Sequence, residues 1–153
     1  MKLQTSTRLA LYSALLLAGD SRRQFAAAEI AQRFGISVNH LAKVLRTLGR
    51  AGLVEAVRGA GGGYRFRGNV RRVTLFDVIQ LFEDVASDGR LDADAGVATA
   101  EGRALRRVLD EIDDITRATL RSVTLATMLK LAEEPTAADA AGEPAAPRAQ
   151  RTR

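Results

Sequence analysis

Over roughly the first 130 positions the apolar residues fall into blocks of helical spacing, separated by short polar or glycine-bearing links. Leu9, Leu11, Tyr12, Leu15 and Leu16 predict a first helix that begins near Ser6 and stops at Gly19-Asp20. After a polar link, Ser21 to Gln24, the stripe Ala27, Ile30, Ala31 and Phe34 predicts a short second helix from Phe25 to Phe34. Gly35 closes it, as a glycine in the left-handed position after a helix does. Ser37 reads as the N-cap of a third helix with a buried face of Leu41, Val44, Leu45 and Leu48, ended by Gly52. Its other positions are polar: Asn39, His40, Lys43, Thr47 and Arg50 point elsewhere, with Arg46 near the edge.

The pattern then changes. Two strand-like segments, Leu53 to Arg58 and Tyr64 to Arg67, flank the glycine-rich stretch RGAGGGYRF, Arg58 to Phe66. Thr74, with Asp77 three residues on, predicts a capping box opening a fourth helix that carries Leu75, Val78, Ile79 and Phe82. Val85 to Thr99 has no periodicity and reads as a loop. A long helix follows from Glu101 to about Val123. Its seam, Leu105, Val108, Leu109, Ile112, Ile115, Leu120 and Val123, has near-heptad spacing and more apolar surface than one small domain needs, which predicts a homodimer. Thr124 starts a last short helix through Glu133, with Leu125, Met128, Leu129 and Leu131. Beyond Pro135 the composition is that of a disordered tail. The expected organisation is a domain over 1–84, a loop over 85–100, dimerisation and C-terminal helices over 101–134, and a tail over 135–153.

Composition removes several function classes. The 153 residues include no cysteine, no tryptophan and one histidine, His40, so disulfides, thiol nucleophiles and cysteine-held iron–sulfur clusters are excluded. No nucleophile–base pair is visible, and an enzyme is not expected. No apolar run approaches the ~18 residues that span a membrane, and no signal peptide is evident, so a cytoplasmic location is expected. Charge is uneven: residues 1–80 hold 13 Lys/Arg against 4 Asp/Glu, and residues 81–153 hold 10 against 14. A basic first half suits a polyanionic partner.

Helix, helix, tight turn, helix, hairpin is the order of a winged helix-turn-helix. The expected fold is mainly α with a small two-stranded β wing and a long C-terminal dimerisation helix. A recognition helix places its N-terminal side chains against base edges in the major groove, and Ser37, Asn39, His40 and Lys43 supply hydrogen-bonding groups there. Arg46 and Arg50, a turn or two on, suit phosphates. Blander readings stand beside these: Ser37 as a cap only, His40 as a surface histidine, and the two arginines as a solvated face. The glycine loop fits neither nucleotide fingerprint. The sixth position from Gly59 is Tyr64 rather than glycine, a strand pattern follows it, and no lysine is present. As a hairpin tip with Arg58 at its base, it suits a wing that enters the minor groove. The rival class is a winged-helix interaction module for an acidic protein partner.

Three segments, MKLQTSTRLAL, EIAQRFGISVNHLAKVLRTLGRAGLVEAVRGAGGGYRF and VTLFDVIQLFED, together resemble the Rrf-two family of bacterial transcription regulators, closely over residues 1 to about 84. The resemblance implies a homodimeric regulator, usually a repressor, on a pseudo-palindromic site in double-stranded DNA. It implies DNA contacts from Ser37, Asn39, His40 and Lys43 on the helix, and from Arg58, the tip glycines Gly59, Gly61 and Gly62, and Tyr64 on the wing. Ala42 on the same stretch is small, so the base-reading carboxylate that some relatives carry there is absent. Sensing members hold a cluster with cysteines in the loop before the long helix, together with a histidine there or an acidic residue in the first helix. Here that loop reads VASDGRLDADAGVATA and Arg8 stands at the acidic position, so no cofactor is expected. Asp88, Asp92 and Asp94 read as a solvated loop more readily than as a cation site. The input is expected to be a small-molecule effector, a partner protein or abundance alone.

Overall fold

The computed structural model describes residues 2–85 and 98–134. Helix α1, Thr5–Gly19, lies at the centre of the molecule. Leu9, Ala10, Ala14 and Leu17 on it are at most 3% exposed. It is buried on several sides at once because the helices Val38–Arg50, Leu75–Ile79 and Leu125–Glu133 and the strand Gly63–Phe66 all pack on it. Helix α2, Ala27–Phe34, ends at Gly35, whose φ of 63° is the left-handed value that lets its N–H cap Ala31 and Gln32. Helix α3, Val38–Arg50, starts on Ser37, whose hydroxyl accepts the His40 N–H at 3.2 Å. Its stripe Leu41, Val44, Leu45 and Leu48 is buried.

Strands β1, Val54–Val57, and β2, Gly63–Phe66, pair antiparallel with Val54 opposite Phe66 and Val57 opposite Gly63. The first strand is shorter than the alternation suggested, and the second is moved one residue toward the N-terminus. The start of α2 also moves. Phe25, expected inside that helix, instead exchanges two 2.9 Å backbone hydrogen bonds with Tyr64, adding a one-residue third strand to the wing. Its ring is 4% exposed and carries the Arg23 guanidinium 4.4 Å above it.

Helix α4, Leu75–Ile79, has the capping box read from Thr74 and Asp77, with both reciprocal bonds present. Phe82 lies beyond its end, in a following turn. Helix α5, Ala100–Ser122, is capped by Thr99, and α6, Leu125–Glu133, by Thr124. Between them the chain is extended for two residues and is stitched to the segment before α4. Leu75 N–H donates to Val123 O, Leu125 N–H to Val73 O and Ala126 N–H to Val70 O, each at 2.9 Å. The Arg121 guanidinium covers the Phe76 ring at 4.3 Å.

The seam read on α5 divides in two. Leu105, Val108, Ile112 and Ile115 are each more than half exposed. Leu120 is 7% exposed within the chain's own core, and Val123 and Leu109 are half-buried. Leu120 is therefore corrected: it closes the fold of one chain rather than facing a second, while Val123, half-buried like Leu109, keeps part of its surface. The long loop's Asp88, Asp92 and Asp94 and the tail from Pro135 lie outside the described residues.

Candidate nucleic-acid interface

Helix α3 presents two faces because its sequence keeps them apart. Asn39, Lys43, Arg46 and Arg50 recur at steps of four, three and four residues, one strip opposite the buried leucines, and all four are exposed. Thirteen residues at 1.5 Å each give a rod of about 20 Å, and its ~10–12 Å diameter fits a major groove ~12 Å wide. None of these four side chains is drawn into an ion pair, so their hydrogen-bonding and charge capacity is turned outward.

Ser37 and His40 sit differently. The Ser37 hydroxyl is the helix cap, yet the residue is exposed and its oxygen retains a second lone pair. His40 is half-buried, with its Nε2 3.2 Å from Ser6 Oγ on α1. The histidine thus ties the first turn of α3 to the first turn of α1, a long-range link that spacing along one helix does not reveal. Lys2 and Arg8, both exposed, border a shallow cleft with Leu3, Gln4 and Thr5 at the start of α1. Val38, the first helical residue, is 46% exposed although apolar.

The wing explains its glycines one by one. Gly59 and Gly61 have φ of 111° and 76°, where a side chain would strain the backbone. Gly62 and Gly63 are held by space: a Cβ would lie 2.4 Å from Val57 O at the first and 2.4 Å from Phe25 O at the second. A Gly62 N–H to Gly59 O bond of 2.9 Å closes the tip. The tip is therefore narrow, side-chain-poor and set by geometry. Arg58 at its base is exposed and makes no ion pair, whereas Arg65 is engaged by Glu55 across the two strands. Tyr64 is half-buried, with its backbone committed to Phe25. Among the described residues, no three His, Cys, Asp or Glu side chains gather as a metal site, and no helix is long and apolar enough to cross a membrane.

Comparison with known proteins accords with this geometry. The family model Rrf2, described as an iron-dependent transcriptional regulator, matches residues 3–131. The chain is 53% identical over 131 residues to BadM of Rhodopseudomonas palustris, named an HTH-type transcriptional regulator, covering 86% of this chain and 83% of that one. It is 30% identical over 135 residues to the HTH-type transcriptional regulator IscR of Vibrio campbellii, covering 85% and 78%. Among solved structures it is similar to CymR, the global cysteine regulator of B. subtilis, with a TM-score of 0.72 and 26% identity over 86% of this chain and 98% of that one. These relatives do not favour the reading as a module for an acidic protein partner. With a family model spanning most of its length and a relative more than half identical, the chain belongs to the Rrf2 family of DNA-binding transcriptional regulators.

Proposed function

We propose that this regulator acts in the cytoplasm as a homodimeric repressor on a pseudo-palindromic promoter site. Helix α3 enters the major groove of each half-site. Asn39 and Lys43 face base edges, Arg46 and Arg50 face phosphates, and the wing carries Arg58 to the neighbouring minor groove. Ser37 adds a contact beside its capping role, and His40 holds α3 against α1 rather than reading a base. Repression follows from occupancy, because a promoter covered by two protomers is closed to other proteins.

The observation that carries the dimer is the bare strip Leu105, Val108, Ile112 and Ile115, spaced three, four and three residues apart on a helix of 23 residues. That is the spacing by which one helix interdigitates with another, and a strip of more-than-half-exposed branched side chains is stable only when covered. A second copy offers the matching strip in a self-complementary pairing.

The family description names iron, and the donors here do not fit a cysteine-held cluster. The chain has no cysteine, and its one histidine is turned to Ser6. The signal is instead a small molecule, a partner protein or the protein's own abundance. Fluorescence anisotropy with promoter duplexes, alongside sedimentation equilibrium, tests the whole reading. The expected result is a dimer whose binding prefers one sequence and weakens steeply with salt. A monomer, or binding indifferent to both sequence and salt, overturns it.

A further inference from the structure

We infer that Val38 is a base-reading residue that packs on the C5-methyl of a thymine in each half-site. The inference rests on the placement of α3 in the major groove. The exposed large apolar side chains of the described residues mostly have a visible explanation: four form the α5 strip, and Tyr12 stacks on Phe34 with ring centroids 5.7 Å apart. Val38 has none. It is 46% exposed, while the apolar residues that follow it on the same helix, Leu41, Val44, Leu45 and Leu48, are at most 2% exposed.

Nothing local calls for a valine there. Ser37 already caps the helix, and a β-branched residue is a mediocre helix former. One turn on, at the i+4 position that shares its face, lies half-buried Ala42. The first two turns of α3 therefore carry two aliphatic side chains beside the hydrogen-bonding strip of Asn39 and Lys43. In the major groove, thymine is the one standard base that presents a methyl group, and it is flanked by polar edges. A short side chain stiff about χ1 meets that methyl with little loss of conformational freedom. Cytosine in its place would turn an amino donor toward methyl groups and leave the donor unpaired, so rejection reinforces attraction.

Selection of bound duplexes from a random library, with the full chain and with Val38→Ala and Val38→Ser, tests the inference. The wild type is expected to select a thymine at one position per half-site, and that preference alone is expected to relax in both variants. Deoxyuridine then replaces that thymine, which deletes the methyl and keeps the pairing edge. Wild-type affinity is expected to fall about fourfold, the worth of one buried methyl-sized group, and Val38→Ser affinity to stay unchanged. Matching thermal melts show that the variants fold. Wild-type indifference to deoxyuridine, an equal loss in wild type and Val38→Ser, or a thymine preference retained by both variants overturns the role of Val38 and leaves the DNA-binding mode standing. A wild-type chain that selects no motif overturns both.

Discussion

Helices α3 and α5 are both amphipathic, and they turn their apolar faces in opposite directions. On α3, Leu41, Val44, Leu45 and Leu48 are closed into the core, so what faces outward is Asn39, Lys43, Arg46 and Arg50. On α5, Leu105, Val108, Ile112 and Ile115 face outward, and the chain's own core is reached by Leu120 near the helix end. One helix offers hydrogen bonds and charge, the other bare hydrocarbon. The partners they suit differ accordingly: a hydrated polyanion for the first and a second apolar surface for the second.

The sharpest way to break this contrast is to replace one apolar residue on each helix. Leu41→Ala is expected to cost about 2–5 kcal/mol of folding stability, seen as a lowered midpoint in urea, because the cavity forms in a site with no exposure. Ile112→Asp is expected to leave the helical circular dichroism near the wild-type level while sedimentation shows a monomer. Operator affinity should then fall on the order of a hundredfold as the two half-sites lose their tether. Should Ile112→Asp remain a dimer, the assignment of the α5 strip fails. At the polar face, Lys43→Ala and Arg58→Ala are each expected to cost about 1–3 kcal/mol in binding if they read bases, or to lower the salt slope by about one if they touch only phosphate. Neither should move the melting midpoint noticeably. The smallest effect separates the two roles of Ser37. Ser37→Ala should lose about 1 kcal/mol of stability through the cap, whereas Ser37→Gly should lose only a few tenths. Weaker binding by Ser37→Gly therefore reports a DNA contact; unchanged binding leaves the serine as a cap alone.

The elements were legible in the sequence where their signals are local. The Thr74–Asp77 box, the Ser37 cap and Gly35 all act within a few residues, so spacing is enough to recognise them. What stayed hidden depended on distant partners. Phe25 looks like the start of a helix because nothing nearby reveals that Tyr64, 39 positions on, pairs with its backbone. Leu120 and Val123 continue the apolar rhythm of α5, but rhythm says only that a face is apolar, not which molecule covers it. His40 sits among base-reading candidates by position, and its contact with the Ser6 hydroxyl, 34 positions away, cannot be seen in the spacing of α3. The wing tip was legible as a turn, while the reason for its last two glycines, backbone oxygens 2.4 Å from any added Cβ, belongs to the folded molecule.

The three backbone hydrogen bonds that fasten residues 123–126 to Val70, Val73 and Leu75 make the end of α5 part of the reading head rather than a tether to it. A flexible tether would let two heads search independently for sites at many separations. In the dimer we propose, a fastened one would turn the pair into a caliper with a fixed opening, so inserting or deleting a few base pairs between half-sites should defeat binding even when both half-sites are perfect. Any influence that rotates one α5 against its partner would change that opening directly, without needing to touch the residues that face the DNA.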